Sequence, residues 1–176
     1  MAGALLASLA GCSSAPEVTA EPTPATTAAP STAAPTTTPA RTTPARTPAP
    51  VTEDAPCPYA GAETVAETVG QRIARTTVTR TSPHVGCAFY RPNGEKAADV
   101  AVSVLASAAA AQARAVAFPG AGANPVTSVG DGGAVKVTAD GAVLAVSTGA
   151  ALVVVRINQT VSLEAVEIAK LVVARI

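Results

Sequence analysis

The hydrophobic pattern of this chain changes at two places. Residues 1–11 are mostly small and apolar, whereas residues 12–56 contain almost no large apolar side chain. From Cys57 onward, apolar positions recur with the periods of strands and helices. The pattern therefore predicts a signal segment at 1–11, an extended tether at 12–56 and a single folded domain at 57–176.

Within residues 57–176 the periodicity predicts nine elements in the order helix, three strands, helix, three strands, helix. The predicted helices are 58–69, 107–118 and 162–175. The predicted strands are 72–79, 86–91, 98–105, 134–138, 142–147 and 150–157. Long hairpins with helices between them favour an α+β fold, with an antiparallel sheet sandwiched by helices.

Several positions refine these elements. Gly70 is suited to end the first helix, and Ser162 to cap the last one. Asn93-Gly94 and Asp140-Gly141 are typical of two-residue hairpin turns. In the last helix, helical spacing predicts an apolar face made of Leu163, Val166, Ala169, Val173 and Ile176.

Composition separates the tether from the domain. Ten of the 15 prolines lie in residues 16–56, whereas all four aromatic residues lie beyond Cys57. A segment of Pro, Thr, Ala and Ser cannot offset the entropy of folding, so we expect a disordered spacer with polyproline-II bias. Its threonines could accept O-linked sugar, which the sequence leaves open. The domain core must be built from Val, Ala, Leu and Ile.

The stretch Leu9-Ala10-Gly11-Cys12 resembles the lipobox of bacterial lipoproteins. That resemblance implies that the Cys12 thiol receives diacylglycerol, with acyl chains such as palmitate, and becomes the mature N-terminus. The expected location is the extracytoplasmic face of the cell membrane. An ordinary signal peptide with a chance cysteine is the alternative. No Lys or Arg precedes the apolar run, so we expect the true start to lie upstream.

Two cysteines remain for the domain, Cys57 and Cys87. In an exported domain an even pair is most simply a disulfide. Closing a loop of about thirty residues should stabilise the fold by roughly 3.5 kcal/mol in the chain-entropy model. A metal pair or a redox pair is the alternative, but two sulfurs with one histidine are a poor zinc site and no Cys-x-x-Cys is present.

The sequence carries no catalytic constellation that we can assemble. The only histidine, His84, is predicted to lie in a loop, and no Gly-x-Ser-x-Gly elbow accompanies it. Asp131-Gly132-Gly133 offers a single carboxylate, far too few oxygens for calcium. We expect Arg91 to anchor a turn through a carboxylate. His84, Tyr90 and Arg91 form the candidate binding surface, and no metal or cofactor is expected.

Charge argues against nucleic acid as a partner. Residues 57–176 contain ten Lys and Arg against eight Asp and Glu, with no basic stripe and no aromatic platform.

The segments Cys57-Pro58-Tyr59, Ser82-Pro83-His84 and 86–92 resemble a family of uncharacterised actinobacterial lipoprotein domains. Asn124-Pro125 and Asn158-Gln159 fit the same pattern. The family has no assigned activity, so the resemblance implies no catalytic residue. The element order is also similar to PsbP-like domains, which implies an α/β/α sandwich used mainly for binding or assembly.

Together these features favour a non-catalytic lipoprotein whose domain binds a protein or assists envelope assembly. The alternative is a carrier of a lipid or small apolar ligand, and an enzyme is the least favoured. A carrier should enclose an apolar cavity of about 300 Å³ or more, whereas an adaptor should present a surface patch.

Overall fold

The computed structural model describes residues 49–176. Cys12, the signal segment 1–11 and most of the predicted tether lie outside the described residues. The described part contains eight strands, namely β1 Val51–Asp54, β2 Arg75–Thr81, β3 His84–Tyr90, β4 Lys96–Val104, β5 Asn124–Val126, β6 Gly132–Thr138, β7 Gly141–Thr148 and β8 Ala151–Ile157. It also contains three helices, α1 Ala62–Val69, α2 Ala108–Ala117 and α3 Leu163–Val173.

The eight strands form one open sheet in the order β1-β2-β3-β4-β8-β7-β6-β5, and every neighbouring pair is antiparallel. The long connection between β4 and β5 carries α2, and β8 returns to pair with β4 in the middle of the sheet. The α+β class and the antiparallel sheet are as predicted. Six strands were expected, and the two additional ones extend the sheet at its edges.

The two extra strands correct the expected boundaries. β1 lies in the segment assigned to the tether, so the folded part begins by Val51 rather than at Cys57. β5 lies between the predicted helix 107–118 and the predicted strand 134–138, where no strand was expected. Both strands are short, and neither shows the apolar alternation by which a longer strand is recognised.

The turns differ in detail from the prediction. Five residues, 91–95, connect β3 to β4, so Asn93-Gly94 is not a two-residue hairpin. Arg91 anchors this connection through Glu95, and the Arg91 amide donates to the Glu95 carbonyl at 2.8 Å. The expected role of Arg91 in the turn is therefore confirmed.

Helices cover the two faces of the sheet unequally. α2 packs on β6, β7 and β8, and α3 packs on β7 and β8. The α3 face holds the larger core, in which Val65 and Val69 of α1 share a cluster with Phe89 and Ile168. The α2 face holds a smaller cluster built around Ala115 and Val154. Because β8 is apolar on both faces, it can lie between the two cores.

The disulfide between Cys57 and Cys87 is present, which confirms that prediction. It joins the segment before α1 to the middle of β3, with the two Cα atoms 5.7 Å apart. Both cysteines are buried in the larger core. Since the bond spans 30 residues, it closes a loop that contains α1, β2 and the first half of β3.

The ends of the helices follow from the sequence in two of three cases. Gly70 takes the left-handed conformation that ends α1, with φ at 61°. Ser107 caps α2 by accepting a hydrogen bond from the Ala110 amide at 3.1 Å. Ser162, expected to cap α3 with its side chain, makes no such bond because it already has helical backbone angles. No helix within residues 49–176 is long and apolar enough to cross a membrane.

Candidate functional site: an arginine-rimmed groove beside α2

The half of the α2 face that lies over β2, β3 and β4 carries no helix among the described residues. Strand register places Thr79, Gly86, Ala101 and Val154 in one row across this face. Apart from Val154, the members of this row are only partly buried. The small side chains therefore leave a shallow, accessible surface beside α2.

A groove of about 320 Å³ lies where this uncovered surface meets α2. Its floor is formed by Ala101 and Ser103 of β4 and by Leu152 and Val154 of β8. These four residues form two cross-strand pairs, Ala101 with Val154 and Ser103 with Leu152. The floor is consequently flat and mostly apolar. We call this site the α2 groove.

Two arginines and one histidine rim the α2 groove. Arg114 of α2, Arg156 of β8 and His84 of β3 all contribute to its lining. Phe118, which follows α2, forms part of the wall, and its ring centroid lies 5.3 Å from the Arg114 guanidinium carbon and 5.2 Å from that of Arg156. Both guanidinium groups are thus held against one aromatic ring by cation–π attraction.

The two arginines differ in their other contacts. Arg156 donates to the Asp99 carboxylate at 3.2 Å, and the same carboxylate accepts from Lys96 at 3.2 Å. Among the described residues no carboxylate lies within ion-pair distance of Arg114. One full positive charge therefore faces the groove without an internal counter-ion, and a second is shared with Asp99.

The predicted surface of His84, Tyr90 and Arg91 is divided by the structure. His84 and Tyr90 stand at opposite ends of β3, roughly 20 Å apart at the usual rise of a strand. His84 begins β3 instead of lying in a loop, because β2 and β3 extend to a turn of two residues, Ser82 and Pro83. Only His84 lines the α2 groove.

Tyr90 and Arg91 have local partners. The Arg75 guanidinium carbon lies 4.5 Å from the centroid of the Tyr90 ring, and Arg91 pairs with Glu95. These contacts stabilise the far end of β3 and its turn.

The groove residues Arg114, Phe118 and Arg156 were missed by sequence reasoning, since they come from an alanine-rich helix, its end and an apolar strand. The spacing of Arg114 and Phe118, one helical turn apart, was the one available signal.

A second cavity, of about 360 Å³, lies between α1 and α3. It is open to solvent and its lining includes Thr64, Leu163, Glu164 and Glu167. Glu167 pairs with Lys170 at 2.7 Å, on the outer side of α3. This cavity offers carboxylates on a helical surface with no aromatic wall, so it is the weaker candidate for a recognition site.

Asp131 and the pair Asn158-Gln159 make hydrogen bonds with structural roles. The Asp131 carboxylate accepts a hydrogen bond from the Gly149 amide at 2.7 Å, which ties the start of β6 to the turn between β7 and β8. Asn158 pairs with Gln71 at 2.9 Å, and Gln159 donates to the Val69 carbonyl at 2.8 Å. Among the described residues, no group of three or more His, Cys, Asp or Glu is placed to hold a metal ion.

Comparison with the curated proteins gives no match. A family model described as domain of unknown function (DUF2020) matches residues 39–176, which includes β1 and all other elements of the sheet. Since the match covers more than half of the chain, the chain belongs to this DUF2020 family, as the resemblance to an uncharacterised domain family implied.

Proposed function

We propose that this chain is a lipid-anchored extracytoplasmic lipoprotein whose domain is a non-catalytic protein-binding module. The observation that carries the binding role is the uncovered half of the α2 face. This surface is flat, lined by small side chains and continuous with the α2 groove. A surface of this kind can accept another polypeptide with little rearrangement of its own backbone.

The proposed anchor depends on the sequence around Cys12 alone. A lipid on Cys12 and a proline-rich spacer would hold the domain at a distance from the membrane surface. At about 3.1 Å per residue, a polyproline-II spacer from Cys12 to β1 would reach on the order of 120 Å when fully extended. The α2 groove would then meet partners in the envelope rather than in the lipid itself.

The likeness to PsbP-like domains belongs to this proposal. In the described part α2 lies on one face of the sheet and α1 with α3 on the other, which supports the proposed likeness. The binding and assembly roles of such domains accord with a module that offers half a sheet face to a partner. The proposal does not depend on this analogy, because the uncovered surface stands by itself.

A carrier of a small apolar ligand is the second candidate, favoured by the volume and apolar floor of the α2 groove. A volume of about 320 Å³ falls at the lower end of the range for small-molecule sites. However, this groove is open along one side, whereas ligand carriers bury most of the ligand surface. The geometry therefore supports recognition of a partner surface better than enclosure of a ligand.

Site-specific photo-crosslinking in the native envelope tests the protein-binding proposal. A photoreactive residue at Thr79 or Ser103, both on the uncovered face, should yield the same adduct of defined mass after irradiation. Matched positions at Glu63 and Lys170, exposed on α1 and α3, should not yield it. The identified protein, once purified, should form a stoichiometric complex with the chain. Adducts independent of position, or none from the uncovered face, would contradict the proposal.

A further inference from the structure

The side chains at the wall and rim of the α2 groove favour one sign of charge in a bound ligand. Arg114 and Arg156 both stand against the Phe118 ring, and His84 lies at the other end of the floor. No carboxylate is among the residues that line this groove. Only Asp99, beside it, offsets one of the arginine charges. The ligand that complements this lining is therefore anionic.

The Phe118 ring also fixes how the arginines can bind. A guanidinium held over an aromatic ring keeps its in-plane N–H donors free for an acceptor at its edge. A carboxylate can accept two such bonds from one guanidinium, and this paired geometry makes Arg a good partner for a carboxylate. Arg114 is the residue best placed for this role, since Arg156 already donates to Asp99.

The floor specifies the remainder of the ligand. Leu152 and Val154 supply an apolar base that can take one or two aliphatic side chains. Ser103 on the same floor and Thr79 on the adjoining uncovered face supply hydroxyl groups that can bond to a peptide backbone. The hydrocarbon part of an acyl chain cannot form hydrogen bonds with these hydroxyl groups. The open side of the α2 groove would also leave much of an acyl chain in contact with water.

We propose that the α2 groove binds a peptide segment in which a carboxylate side chain lies beside an aliphatic one, presented by a protein partner. The carboxylate would bind Arg114 at the Phe118 wall, and the aliphatic side chain would pack on Leu152 and Val154. This inference depends on the proposed protein-binding function and adds the chemistry of the partner.

Selection from a random 12-residue peptide library tests it, with the full chain carrying Cys12→Ala as bait. Wild-type groove residues should enrich peptides with Asp or Glu next to Leu, Ile or Val. A synthetic consensus peptide should bind Arg114→Gln at least tenfold more weakly than the parent. Replacing its acidic residue by the amide should cause a similar loss, and affinity should fall as salt rises.

Arg72→Gln is the matched control. Arg72 is exposed between α1 and β2 and does not line the α2 groove, so this variant should bind the peptide as the parent does. Arg114→Lys should retain part of the affinity, because it keeps the charge but loses the paired donors. Thermal melts of each variant would detect unfolding as another cause of weaker binding. Because Arg114 is exposed on α2, its replacement should not unfold the domain.

Enrichment without acidic residues, no enrichment over an unrelated bait, or equal binding to Arg114→Gln would overturn the acidic-peptide inference. Displacement of the peptide by decanoate at a lower concentration than by acetate would assign the groove to a lipid anion instead. The photo-crosslinks from Thr79 and Ser103 separate the two proposals. Specific crosslinks without acidic selectivity would leave protein binding standing and refute only the proposed chemistry.

Discussion

Close contacts with the neighbouring strand require glycine at two positions near the start of β6. The structure leaves no space for a side chain at Gly133, where a Cβ atom would lie 2.0 Å from the Ala145 carbonyl oxygen. At Gly130 a Cβ atom would lie 2.2 Å from the Ser147 carbonyl oxygen, and φ there is 54°. The segment that suggested a calcium loop is thus a close approach between two backbones.

Gly133→Ala should lower the free energy of unfolding by about 3 kcal/mol, the upper end of the usual cost of overpacking, because the atom that it meets is backbone. Urea titration followed by circular dichroism would measure the change. Gly61→Ala is the matched control, since its Cβ atom would meet nothing closer than Thr64 Oγ1 at 3.7 Å and Gly61 has a φ of −68°. Equal stability of the two variants would show that β6 and β7 can separate at little cost.

At the scale of single elements, α3 shows how packing decides which face of an apolar helix is buried. The residues buried against the sheet are Ala165, Ile168, Ala169 and Val172. Of the predicted face, Ala169 is buried and Val166 and Val173 are partly buried against the larger core, whereas Leu163 and Ile176 are exposed by 64% and 49%. Because apolar residues occur most of the way around α3, helical spacing permits more than one face. The four residues of the buried face have small or β-branched side chains.

The disulfide closes a loop that contains α1 and β2. Cys57→Ser should lower the free energy of unfolding by roughly 3.5 kcal/mol, because the unfolded chain regains the freedom of a 30-residue loop. The melting temperature should fall by on the order of 10 °C, measured by calorimetry. Cys12→Ser is the matched control, since it leaves the bond between Cys57 and Cys87 intact. An unchanged melting curve for Cys57→Ser would show that the bond contributes little to stability.

For the whole molecule, the unequal covering of the two sheet faces is the feature that bears on function. Among the described residues, α1 and α3 both pack on the side of the larger core, whereas α2 is the one helix that covers part of the other side. A sheet of eight strands is too wide for one helix of ten residues to cover. The uncovered remainder is what makes a binding surface available.

The proposed anchor is tested at this scale. Cys12→Ala should move the protein from the membrane fraction to the soluble fraction of its native cells, because the chain then has no acyl group to partition into the bilayer. Immunoblotting of the two fractions measures the shift. Ser13→Ala, next to the same site, should remain with membranes. Retention of Cys12→Ala on membranes washed with high salt would show that another part of the chain anchors it.

The sequence by itself determined the local features of the domain. Its alternating apolar residues placed the six long strands, its capping residues Ser107 and Gly70 set helix ends, and its two domain cysteines predicted the disulfide. These features depend on residues that are close together in the chain, or on a cysteine pair for which the domain contains no other cysteine. They could be recognised without knowledge of the fold, since periodicity, caps and cysteine count are properties of the chain alone.

Only the tertiary structure decided three features: the two edge strands, the face of α3 that is buried, and the residues that meet in the candidate site. β1 and β5 are strands because β2 and β6 offer them hydrogen bonds, which no pattern within four or three residues could indicate. Arg114, Phe118 and Arg156 meet because β8 returns to the middle of the sheet under the end of α2. Phe118 and Arg156 are 38 positions apart along the chain, and no sequence spacing predicts a contact at that distance.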